Sequence, residues 1–157
     1  MIREKGIPVF ADSRFRLNEF SGVTGATPNE VELSRTAGIE LSEEGVIDGA
    51  ALEVLEKLGL ESLIVTRGSC GMSLYRPGRE VFSIPVVGSR AATDVTGAGD
   101  TVVAVVALAA AAGADMETAM MIANAAASIV VMKRGTGVAT PDEIVELLRE
   151  NRRDQSG

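Results

Sequence analysis

The chain has no histidine and no tryptophan, one cysteine, and aromatic residues at only 3% of its 157 positions. The lack of histidine removes the commonest general base and the commonest metal ligand, so proton transfer falls to Asp, Glu, Lys or Tyr. Cys70 alone can form neither an internal disulfide nor a cysteine-rich zinc site, which fits a reduced, cytoplasmic setting. With aromatics so scarce, the core must be built from Ala, Val, Leu, Ile and Met, and Cys70 and the methionines read most simply as core. There is no positive surplus either. The net charge of −7 argues against a general nucleic-acid or acidic-membrane surface. Long hydrophobic runs are also missing: residues 102–114 form the longest apolar stretch, too short to span a bilayer, and read as a buried helix. Residues 1–8 carry charges without an apolar core and do not read as a signal peptide.

What is present is a globular composition, 46% hydrophobic and 24% charged, sized for one domain with a real core. "IPVFAD" (7–12) and "SLIVT" (62–66) read as strands, and "GMSLY" and "VFSIP" as a pair joined by the turn "RPGR". Ile47, Ala51, Leu55 and Leu58 recur at helical spacing, and Gly59 supplies the stop. Two small-residue helices follow, near 99–112 and 116–132. Both are apolar nearly all round, which predicts cover on more than one side. The last helix starts at Thr140 as N-cap, with Pro141 in the first turn and Glu143 closing a capping box. Residues 151–157 read as a fraying tail. Strands alternating with helices imply an α/β layered fold with a mainly parallel sheet, entered in the middle of a strand–helix series.

Four stretches can carry chemistry. No Gly-Lys-Ser/Thr loop occurs, and the Rossmann glycine pattern fails because Gly97-Ala98-Gly99-Asp100-Thr101 is followed by Val102. What remains in "DVTGAGD" (94–100) is a helix start made of small residues. Its free N–H groups can hold a phosphate, with the Asp100 carboxylate beside it to take a hydroxyl proton. A plain glycine-rich turn with a first-turn acid explains the same letters. In "PNEVE" (28–32), Asn29 and Glu32 share a helix face, as either a hydrated Mg²⁺ site or a capping box. "VTRGSCG" (65–71) brings Thr66, Gly68 and Gly71 to a strand's carboxyl end, where either a nucleotide or a tight turn fits. "ANAAAS" (123–128) sets Asn124 among alanines, as close helix packing or as the rim of a slot for a flat base.

Together these stretches resemble the PfkB/ribokinase family of sugar kinases. "DVTGAGD" is similar to the family signature D-[TV]-x-G-A-G-D, "PNEVE" to its N-x-x-E motif, "VTRGSCG" to its T-x-G-x-x-G turn and "ANAAAS" to its adenine-side helix. Order and approximate spacing agree, over nearly the whole chain, and within the family residues 94–144 are most similar to the heptose 7-phosphate kinase type. The resemblance implies a ribokinase-like αβα sandwich and Mg-ATP-dependent phosphoryl transfer to a sugar or sugar phosphate. It implies Asp100 as base and Gly97, Ala98 and Gly99 as the anion hole. It places Asn29 and Glu32 on the Mg²⁺–phosphate network, and Thr66, Gly68, Gly71 and Asn124 around ATP. It also suggests a K⁺ near Asp94, Thr96 and the "KRGTG" loop (133–137). The family's Gly-Gly-Asn sugar motif and β-lid have no counterpart here. The expectation is therefore a C-terminal, ATP-binding half, in residues 1–150, that associates with a missing N-terminal half or with a second copy and is inactive alone.

Overall fold

The computed structural model describes residues 6–40, 44–88, 96–133 and 137–154. Five strands form one sheet in the order β1 (Phe10–Ala11), β2 (Gly25–Ala26), β3 (Ser62–Thr66), β4 (Met72–Tyr75), β5 (Phe82–Ile84). The β1–β2 and β2–β3 pairs are parallel and the β3–β4 and β4–β5 pairs antiparallel, so the sheet is mixed. The β4–β5 pair is the hairpin that the two short runs around "RPGR" predict. Helices α1 (Glu30–Ala37) and α2 (Glu44–Leu58) cover one face. Helices α3 (Ala98–Ala111) and α4 (Met116–Met132) cover the other, and α5 (Pro141–Asp154) packs on α4. That is the αβα sandwich expected.

Each face has its own core. On the α1/α2 side Leu33, Val54, Leu63, Val65 and Tyr75 are sealed from solvent. The Tyr75 hydroxyl donates to Asp48 Oδ1 at 2.7 Å, tying β4 to α2, and burial ahead of that contact pushes the phenol's pKa up. On the α3/α4 side Ile64, Leu74, Val102, Val106 and Met120 form a second cluster, with Phe10 at its edge.

Several local readings hold and several are corrected. α5 begins with the Thr140–Glu143 capping box, each backbone N–H donating to the other side chain. It continues to Asp154, four residues into the segment expected to fray, while 155–157 lie outside the described residues. Strand β2 is not among the strands expected from the sequence. The pairing requires glycine at 25: a Cβ there would meet Ser62 Oγ at 2.6 Å and the Phe10 ring at 2.8 Å. Cys70 is exposed in the turn after β3, and Met121 and Met132 are exposed on α4, so none of these is core. α3 is covered on one side only: Val102 and Val106 are its buried residues, and Leu108 is 71% exposed.

Candidate functional site

The carboxyl ends of the three parallel strands converge on the head of α3, where open α/β sheets hold their ligands. Gly97, at φ +83°, turns the chain into α3 and accepts from both the Thr101 backbone N–H at 3.0 Å and the Thr101 hydroxyl at 2.8 Å. The N–H groups of Ala98, Gly99 and Asp100 lie in the first turn of α3, where a helix offers no partner of its own, at the positive end of the helix dipole. Gly99 and Asp100 are both exposed.

Asp12, which the sequence patterns did not single out, closes this space from β1. Its Oδ2 lies 3.8 Å from where a Cβ on Gly99 would sit. Although Asp12 is exposed as a residue, partial enclosure of its carboxyl raises its pKa, and repulsion from Glu32 and Asp100 adds to that. Three carboxylates from three elements therefore share one field. Such a field favours a cation.

Asn29 and Glu32 form a complete capping box at the head of α1. Asn29 Oδ1 accepts from the Glu32 N–H at 2.9 Å, and Glu32 Oε2 accepts from the Asn29 N–H at 2.9 Å. This spends one oxygen of each side chain and fixes both. A parallel bridge between Asn29 and Thr66, with the Thr66 N–H donating to Pro28 at 3.0 Å, holds α1's head against the end of β3. Arg67 Nε donates to Glu30 Oε1 at 3.1 Å and secures the same junction. Among the described residues no three His, Cys, Asp or Glu side chains converge tightly enough to cage a metal. The donors fit a hydrated Mg²⁺ carried on phosphate oxygens, which keeps most of its water and needs only one or two carboxylates.

On the other side of the α3 head lies a cleft of about 370 Å³. Thr66, Gly68, Ser69 and Gly71 line it from the β3–β4 turn, Ala98, Gly99 and Val102 from α3, Asn124, Ala127, Ser128 and Val131 from α4, and Val86 from beyond β5. Gly71 allows no substitute: at φ +91° a Cβ would meet the Ile84 carbonyl oxygen at 2.0 Å. Asn124 is 2% exposed and its amide donates to the Pro85 carbonyl at 2.7 Å. Its N–H is thus committed to holding the Pro85–Val86 wall in place. The structure brings Thr66, Gly68, Gly71, Ala98, Gly99 and Asn124 to this one cleft, and sets Asn29, Glu32 and Asp100 beside it with Asp12. Thr96 is exposed just before the turn; Asp94 and residues 134–136, expected near K⁺, lie outside the described residues.

The mixed α/β sandwich thus sets a small-residue helix head, an adjacent acid and an apolar slot side by side. The pfkB family carbohydrate kinase pattern matches residues 3–143, and the chain belongs to that family. The chain is 40% identical over 133 residues to the bifunctional protein HldE of Desulfatibacillum aliphaticivorans, covering 85% of this chain and 27% of that protein. It is 41% identical over 144 residues to HldE of Citrifermentans bemidjiense, covering 91% and 29%. Among solved structures, Arabidopsis thaliana ribokinase complexed with ribose and ATP superposes with a TM-score of 0.84 at 30% identity, over 94% of this chain and 49% of that one. Phosphofructokinase-2 from Escherichia coli in complex with potassium gives 0.85 at 22% identity, over 96% and 50%, a likeness of fold. The chain thus spans under a third of these curated relatives and about half of these structural ones. Among the described residues no helix is long and apolar enough to cross a membrane.

Proposed function

We propose that the chain is the nucleotide side of an ATP-dependent kinase that phosphorylates a hydroxyl of a sugar or sugar phosphate, with heptose 7-phosphate as the favoured acceptor. The observation that carries this reading is the placement of Asp100 and the Gly97–Gly99 amides between the acidic strand ends and the cleft. ATP lies with its base in the slot walled by Val86, Asn124 and Val131, and its phosphates run past Thr66 and Gly68 toward the α3 head. The backbone amides of Ala98, Gly99 and Asp100 take the charge that grows on the transferring phosphoryl group. The Asp100 carboxylate accepts the proton as the acceptor oxygen bonds to phosphorus. Asn29 and Glu32, fixed by their capping box, are the residues that would hold a hydrated Mg²⁺, which would supply charge neutralisation on the phosphates. Thr96 and Asp94 belong to a monovalent-cation site in this reading, with K⁺ as the ion.

The acceptor must be held in line for transfer, and the sugar-binding half of the family pattern is not in these 157 residues. The chain alone therefore turns over weakly or not at all in a coupled ADP-release assay with heptose 7-phosphate, fructose phosphates or ribose. Robust turnover by the chain alone would overturn the half-enzyme reading. Calorimetry with Mg-ATP is expected to show saturable binding, and Asp100→Asn to leave that binding within about twofold while removing any residual turnover. No binding at millimolar Mg-ATP would overturn the kinase reading.

A second reading, a non-catalytic nucleotide-binding or assembly module, draws on the exposed outer residues of α3 and on β1, which ends the sheet among the described residues. Val9 and Ala11 direct their carbonyls to β2, so the Phe10 N–H and C=O face outward by alternation. Either reading pairs that edge with the complementary half or with a second copy, in the cytoplasm. A clean monomer in light scattering would count against self-association.

A further inference from the structure

The hydroxyl of Thr27 is sealed from solvent and has no hydrogen-bond partner among the described residues, and Thr27 as a whole is 3% exposed. A buried hydroxyl in this state costs stability, and a native chain that retains one has a reason to. The position of Thr27 supplies it. Phe10 pairs with Gly25 and Ala11 with Ala26, and the Thr27 N–H donates to the Ala11 carbonyl at 3.2 Å, so the next cross-strand neighbours are Asp12 and Thr27. Phe10 packs into the α3/α4 cluster, and a Cβ on Gly25 would point at its ring. Two residues on, Asp12 and Thr27 share that same face, and Asp12 reaches the head of α3 at Gly99. Side chains so paired have Cβ atoms about 5 Å apart, within reach of a hydroxyl–carboxylate hydrogen bond after one rotation of Asp12.

We propose that Thr27 is a positioning residue for Asp12: its hydroxyl donates to the Asp12 carboxylate and holds it inward when a divalent cation enters the space bounded by Glu32 and Asp100. The Asp12 carboxylate faces the Gly99 end of α3, repelled by Glu32 and Asp100, and among the described residues the Thr27 hydroxyl has no acceptor. A divalent cation would turn that repulsion into attraction, and a rotation of Asp12 toward Thr27 would satisfy the orphan donor. The inference rests on the kinase reading for the identity of the phosphates, but not for the cation itself.

The test uses Thr27→Val, which keeps shape and removes only the hydroxyl, and Thr27→Ser, which keeps the hydroxyl. Urea denaturation without ligand should find Thr27→Val at least as stable as the parent chain, because it deletes an unsatisfied buried group. Mn²⁺ alone, followed by water-proton relaxation, and Mg-ATP, followed by calorimetry, should both bind the Val variant about tenfold more weakly, with the Ser variant restored to near the parent value. If Mn²⁺ binding depends on the hydroxyl while ATP gives no heat, the nucleotide reading fails and this one stands. If Mg-ATP binds the Val variant as it binds the parent, this one fails and the nucleotide reading stands. A parent chain that binds neither probe overturns both. Equal loss of stability and binding in the Val and Ser variants would make Thr27 a packing residue and overturn the proposal.

Discussion

Helices α3 and α4 are alike on paper and unlike in place. Both are built from Ala, Val and Met with few polar letters, and α3 is the more apolar of the two. Yet α4 buries Ala119, Met120, Asn124, Val130 and all five residues from Ala123 to Ala127, whereas α3 buries only Val102 and Val106. The difference comes from neighbours. Among the described residues α4 lies between the sheet at β4, α3 and α5, whereas α3 packs mainly on α4 and the end of β1 and leaves Ala104, Leu108 and Ala111 exposed. Composition tells how apolar a helix is, but not how many sides are taken. In the proposed kinase reading the two helices also divide the chemistry: α3 offers its head to phosphate, and α4 offers its flank as the wall of the cleft.

The sharpest way to break this contrast is to place the same charge in both helices. Ala123→Asp on α4, at 0% exposure, is expected to cost about 4 kcal/mol or more and leave the chain largely unfolded in urea titration. Leu108→Asp on α3 should change stability by no more than about 0.5 kcal/mol. Comparable losses at the two sites would mean that α3's outer face is covered in solution, by a second copy or otherwise. Gly71→Ala comes next. The left-handed backbone and the collision with the Ile84 carbonyl predict a loss of about 3 kcal/mol and a collapsed cleft, read as lower melting temperature and lost Mg-ATP binding.

Asn124→Ala should cost about 1–3 kcal/mol, since it leaves the Pro85 carbonyl without its donor. It should weaken ATP and GTP alike, because the amide holds the wall; a loss confined to ATP would make Asn124 a reader of the base edge. The smallest effect concerns the junction of α4 with α5. Hydrogen bonds from Lys133 and Thr140 hold the Glu143 carboxyl down to about 2 from 4.5, so its contribution is full above pH 4.5 and fades as pH falls toward 2. The melting temperature should fall across that window, and Glu143→Gln should flatten part of the fall. An unchanged slope would show that the exposed pair is screened to nothing.

Much of this was legible in the letters, for stated reasons. The hairpin, the α5 capping box and the Gly59 stop depend on neighbouring residues, and such signals survive without tertiary context. Three of the four motif stretches carry their own turn chemistry, whereas "ANAAAS" lies mid-helix in α4. Asp12 was not, since a single acid after a short strand gains its role only when the sheet register sets it against Gly99 and beside Glu32 and Asp100. Strand β2 hid behind Gly25, a residue that disfavours strands but is required by the crowding of Phe10 and Ser62. Asn124 lines the cleft with its amide committed to Pro85, a partner 39 residues away in sequence that no local pattern shows. Cys70 was misread as core because its residue type is usually buried, whereas the turn it occupies faces out.

The central claim is that these residues form the nucleotide side of a kinase, with the cleft between the β3–β4 turn and α4 as its binding slot. Titration of Mg-ATP into the chain by calorimetry tests it most directly, alongside Leu108→Asp and Val86→Trp, the latter filling the cleft from its wall. The account predicts one saturable site per chain, unchanged by Leu108→Asp and abolished by Val86→Trp. No heat at millimolar Mg-ATP, or binding that Val86→Trp leaves untouched, would contradict it.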